Sequence, residues 1–93
     1  MTPFQYIPLS EMIIDENGSL QQFYRLTNEL SRNKKVQFTG KNDEADNIVW
    51  CFKYRGNPLC LQYNIYSGVS LLNQGKDLQT ANKLADELKA KAV

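Results

Sequence analysis

The sequence predicts a single α+β domain over residues 1–93: an antiparallel meander of three to four strands with two helices packed on one face. The expected order is extended segment-α-β-β-β-β-α. Three observations carry this. Apolar stripes at helical spacing lie near both ends, over 20–30 and 78–92. Between them, residues 48–55 and 59–65 alternate with period two about the turn signal Gly56-Asn57. The chain is 93 residues long with 42% hydrophobic and 23% charged residues, which suits one ordinary core.

Taken in order, residues 3–14 are expected to be extended. Pro3 and Pro8 forbid a helix interior, and Met12-Ile13-Ile14 can end the segment as a strand. DENGS is a turn. Ser19 followed by Gln22 has the form of a capping box, and helix 1 is expected from about Leu20 to Arg32. Its broad apolar face is Leu20, Phe23, Tyr24, Leu26 and Leu30. Lys34 and Lys35 follow near the carbonyl end of its dipole, where cations are favourable.

Val36 to Thr39 is a short expected strand, and GKNDEADN a polar loop. A two-residue turn at Gly56-Asn57 sets Tyr54 opposite Leu59, Phe52 opposite Leu61, Trp50 opposite Tyr63 and Ile48 opposite Ile65, all on one core face. Trp50 is therefore expected in the core. Ser67-Gly68 makes a second turn, 69–72 a short strand, and Asp77 caps helix 2 with its stripe Leu78, Ala81, Leu84, Ala85, Leu88 and Ala92.

Charge and composition exclude several functions. The net charge of +1 gives no long-range steering toward nucleic acid or membrane. No apolar run approaches the ~20 residues of a membrane span, and 1–14 lacks the basic start of a secretory signal. A cytoplasmic location with Cys51 and Cys60 reduced is expected. The chain has no histidine, which removes Ser-His and Cys-His nucleophiles and histidine metal sites. Asp43, Glu44 and Asp46 cluster, but NDEADN lacks the ligand spacing and central glycine of a calcium loop. No enzyme activity, metal or cofactor is expected.

The order helix, antiparallel strands and a helix opening near GKDLQTANKLADEL resembles a double-stranded-RNA-binding domain over about residues 19–92. In that family the last helix carries a K-K-x-A-K-x-x-A-A pattern whose lysines contact phosphates. Setting its alanine on Ala81 also matches Ala85. The lysine positions then fall on Leu78, Gln79 and Asn82, and the last alanine on Asp86. The resemblance implies the two-layer fold, and a diverged domain of this kind is the alternative functional reading; with the lysines missing, nucleic acid is not expected as a partner. On β-strand 48–55 the cations Lys53 and Arg55 also face away from Trp50, Phe52 and Tyr54, so bases cannot stack on those rings and reach those cations together.

The second sheet face is expected to be open. Its candidate interface is Val49, Cys51, Arg55, Cys60, Tyr66 and Leu71, with the two cysteines diagonal to one another. Mixed apolar, aromatic and arginine composition suits a protein partner or self-association. The expected function is thus a small non-catalytic protein-binding or regulatory module acting through that face.

Overall fold

The computed structural model describes residues 10–44 and 46–92. They run β1 (Ser10–Asp15), α1 (Leu20–Ser31), β2 (Val36–Asp43), β3 (Asn47–Tyr54), β4 (Asn57–Asn64), β5 (Gly68–Asn73) and α2 (Leu78–Ala92). The expected extended segment is a strand over its last part; residues 3–9, with both prolines, lie outside the described residues. Among the described residues, five strands form one antiparallel sheet in the order β1-β5-β4-β3-β2. The sheet exceeds the expected three to four strands because Met12 pairs with Leu71 and extends the meander past β5. Both helices lie on one face, α1 over β2 and β4, α2 over β1, β5 and β4.

Each helix starts on a side-chain cap. Ser19 Oγ accepts from the Gln22 N–H at 3.1 Å, filling one of the orphan donors of the first turn. Gln22 does not reach back to close the capping box. Its Nε2 instead donates to Asp15 Oδ2 and to the Ala92 carbonyl, at 3.0 and 2.9 Å, so one amide joins β1, α1 and the end of α2. Asp77 accepts from the N–H and the hydroxyl of Thr80 at 2.9 and 2.6 Å. From α1 the buried residues are Phe23, Leu26, Thr27 and Leu30, and from α2 they are Ala81, Leu84, Ala85 and Leu88. Leu20, Tyr24 and Leu78, expected on the core stripes, are exposed.

The β3–β4 hairpin turns at Arg55-Gly56, one residue earlier than expected. Both have positive φ, 53° and 85°, the signature of a type I′ turn. Tyr54 therefore pairs with Asn57, Phe52 with Leu59, Trp50 with Leu61 and Ile48 with Tyr63. The shift is two residues in pairing, so every side chain keeps its face. Ile65 leaves the ladder and is exposed in a three-residue turn.

That turn shifts the pairing of β5 by three residues relative to expectation, Tyr63 meeting Val69 instead of Leu72, and an odd slip exchanges faces. Val69 and Leu71 pair with Tyr63 and Leu61 and are fully buried in the core, whereas Ser70 and Leu72 take the second face. At Gly68, φ is 81° and an added Cβ would run into the carbonyls of Asp15 and Glu16. β2 also continues to Asp43 through a bulge between Phe38 and Gly40, so most of the expected polar loop is strand.

Trp50 lies on the core face but only half-buried, whereas Phe52, two residues along, is 1% exposed. Phe52→Ala is expected to cost about 3–5 kcal/mol, as aromatic truncations in sealed cores do. Trp50→Ala should cost clearly less, because part of its surface already meets water. Urea unfolding of both variants measures this, and an equal or larger loss from Trp50→Ala would contradict its placement at the rim.

Candidate binding surfaces on the two sheet faces

The predicted interface residues do not form one patch. On the second face, Cys51 and Cys60 stand directly opposite each other, not diagonally, because of the two-residue shift in pairing. Val49 lies beside them, opposite Gln62 and Asn42. Arg55 sits in the hairpin turn, its guanidinium 5.7 Å from the Tyr54 ring centroid. Tyr66, 83% exposed, sits in the turn at the other end of β4, roughly 25 Å away at ~3.3 Å per residue. Leu71 is in the core, for the reason of phase given above.

The face is also less open than the sequence implies. Cys60, Ser70 and Leu72 at its centre are buried, while Val49 and Cys51 are half-buried. One end is an amide cluster in which Gln62 Nε2 and Asn64 Nδ2 both donate to Asn47 Oδ1, at 2.7 and 3.3 Å. The other end is polar and exposed, with Lys53 between Gln37 and Pro58.

A second surface, missed by the sequence reading, lies on the helix side. Five strands at ~4.8 Å spacing are wider than two packed helices cover, so one rim of the core face stays partly open. There Trp50 is the hub of an aromatic cluster. Its ring makes edge contacts with Phe23, Tyr24 and Phe38 at centroid distances of 6.0, 5.9 and 5.9 Å. Lys41, directly opposite on β2, places its Nζ 4.2 Å from the ring centroid, and Trp50 Nε1 donates to Asp43 Oδ1 at 3.4 Å. Such a cation over a tryptophan face is attracted by the ring quadrupole.

Beside this ring runs a slot of about 260 Å³ lined by Tyr24, Thr27, Asn28, Ser31 and Trp50. The four helix residues recur at i, i+3, i+4 and i+7, one stripe along α1. That spacing is the signal that could have revealed the slot, had Tyr24 not been assigned to the core. Along the same direction α1 ends at Ser31, and the exposed Arg32, Lys34 and Lys35 follow. The Arg55 N–H donates to the Lys35 carbonyl at 3.0 Å, which brings a fourth cation to this end.

Two carboxylates have displaced protonation equilibria, and both serve the fold. The Gln22 side-chain amide, and then the Asn17 N–H, hold the Asp15 carboxyl below its ordinary range. The Thr80 hydroxyl and N–H do the same for Asp77. Among the described residues, no group of three or more Cys, Asp or Glu could hold a metal ion. No described helix is long and apolar enough to cross a membrane.

These features describe a two-layer α+β domain with a small aromatic slot beside its first helix. The chain belongs to the family described as Protein of unknown function (DUF3630), which matches residues 8–89. No curated protein and no solved structure matches it.

Because the folded-state pKa of Asp77 is lowered, its cap stabilises the fold above the unfolded aspartate pKa. That stabilisation is lost as pH falls through the lower folded value. Asp77→Asn keeps a capping oxygen without the titration. The difference in stability between wild type and Asp77→Asn should therefore shrink as the pH drops below the ordinary aspartate range. A pH-independent difference in urea midpoints would contradict the cap's role.

Proposed function

We propose that this protein is a small non-catalytic binding module of the cytoplasm that captures a protein partner through the slot beside α1. The occupant is a partner segment that inserts one large apolar side chain between Tyr24 and Trp50. Carboxylates flanking that anchor face Arg32, Lys34 and Lys35. The observation that carries this reading is the half-buried Trp50, whose ring borders the slot instead of being sealed beneath α1. Tryptophan and tyrosine are over-represented among the residues that dominate binding energy at interfaces. The size supports a side-chain anchor over a metabolite, since sites for small molecules usually enclose ~300–1,000 Å³.

Panning a random peptide library against the immobilised protein tests this. Enriched peptides should share one Leu, Phe, Met or Trp beside acidic residues. They should lose at least tenfold in affinity for Tyr24→Asp and for Ser31→Trp, which fills the slot, while thermal unfolding stays cooperative. Peptides indifferent to both variants but lost on Val49→Glu would move the working surface to the second sheet face and overturn the slot.

The alternative reading, a diverged double-stranded-RNA-binding-like domain, would use the start of α2. That surface presents Asp77, Gln79, Thr80, Asn82, Lys83 and Asp86. Phosphate contacts supply most of the affinity in such complexes, and the two carboxylates oppose them. No sub-micromolar binding to a plain RNA duplex is expected at about 0.15 M salt. An electrophoretic shift below one micromolar would revive the alternative.

A further inference from the structure

We infer that Cys51 and Cys60 form a redox modification site, closed by disulfide exchange with a low-molecular-weight disulfide of the glutathione class. The inference stands apart from the slot, because the two cysteines occupy the other sheet face. They are ladder partners at the middle of the β3–β4 hairpin and are present as thiols.

The hairpin also fixes which kind of pair they make. In a two-residue type I′ hairpin the residues flanking the turn, Tyr54 and Asn57, exchange backbone hydrogen bonds. Alternation along the ladder then makes Lys53–Pro58 a non-hydrogen-bonded pair, Phe52–Leu59 a bonded pair and Cys51–Cys60 a non-hydrogen-bonded pair again. Pro58, which has no N–H to donate, fits that parity. Cα atoms of non-hydrogen-bonded partners stand about 4.5 Å apart, and their side chains are closer than those of bonded partners. That spacing lies within the span of about 4.4–6.8 Å over which cysteines are bridged without moving the backbone.

Exposure sets the order of events. Cys51 is half-buried and can meet a reagent, whereas Cys60 is 1% exposed and reacts from within the fold. The Cys51 thiolate attacks one sulfur of the small disulfide, forming a mixed disulfide and expelling one small thiolate. The Cys60 sulfur then attacks Cys51 Sγ, closing the protein disulfide and expelling the second. The protein loses two protons and two electrons, and the small disulfide becomes two thiols. The closed bond staples β3 to β4 at the middle of the sheet.

Dilute native protein is incubated with glutathione disulfide, quenched with an alkylating agent and weighed intact, with peptide mapping. The expected product has lost two hydrogens, carries no glutathione, resists alkylation at both cysteines and melts at higher temperature until dithiothreitol is added. Cys60→Ala should stop at a glutathione adduct on Cys51, and Cys51→Ala should not react. A persistent wild-type adduct on Cys51, disulfide-linked dimers, or two alkylatable thiols at every ratio of oxidised to reduced glutathione would overturn the site.

Discussion

The hairpin turn at Arg55-Gly56 is the constraint on which the register of the sheet depends. A non-glycine residue at φ 53° is uncommon, and Arg55 adopts it although glycine stands next in the chain. Pro58 explains why. Were Gly56-Asn57 the turn, Pro58 would follow it and would have to donate an N–H to Arg55, which proline lacks. Moving the turn back puts Pro58 at a position that needs no such donor. It also carries Asn57 into the sheet, where it is only 7% exposed.

Buried there, Asn57 organises the junction of three elements. Its Nδ2 donates to Asn73 Oδ1 at 3.0 Å and to the Asp77 carbonyl at 3.4 Å, and its Oδ1 accepts from the Asp77 N–H at 3.3 Å. Asn73 Oδ1 also accepts from the Gly75 N–H at 3.0 Å. The Asn57 amide and the Asn73 Oδ1 are thereby satisfied by the hairpin, the end of β5 and the start of α2 together, which a buried polar group requires. Gly75 is confined by the same packing, since a Cβ there would collide with Asn57 Oδ1. The strain at Arg55 is small beside leaving two buried amides without partners.

The parts of the fold that were legible in the sequence are those written in local pattern. Period-two alternation gave the faces of β3 and β4, and they survived a turn misplaced by one residue because the pairing then shifts by two. Ser19 and Asp77 announced both helix starts. The phase of β5 was not legible, because all six of its residues are buried and Ser70-Leu71-Leu72 shows no alternation. Its face depends on whether the preceding turn holds two residues or three, a choice left open by Ser67-Gly68. The slot was hidden by sheet width: how many strands two helices must cover is a tertiary quantity, and the status of Trp50 follows from it. Among the candidate site residues, Val49, Cys51 and Cys60 come together, while Arg55 and Tyr66 mark opposite ends and Leu71 belongs to the core.

The treatment of the sheet edges disfavours the addition of a further strand. An edge strand offers unpaired backbone groups to any passing chain, and bulges and inward-turned charges are the usual defences. β1 carries a bulge between Ile13 and Asp15, and β2 carries one between Phe38 and Gly40. On β2 the exposed lysine after the bulge lays its Nζ over the Trp50 ring. Lys41 therefore does two things at once: it breaks the apolar character of the edge and covers one face of the ring. What it leaves uncovered is the side of Trp50 toward α1, where Tyr24 and Ser31 border the slot. One strand thus presents a ring to the helix layer at Trp50 and a thiol to the opposite face at Cys51. The two-residue period of β3 keeps their chemistries apart, so a bond closed on one face leaves the slot on the other unobstructed.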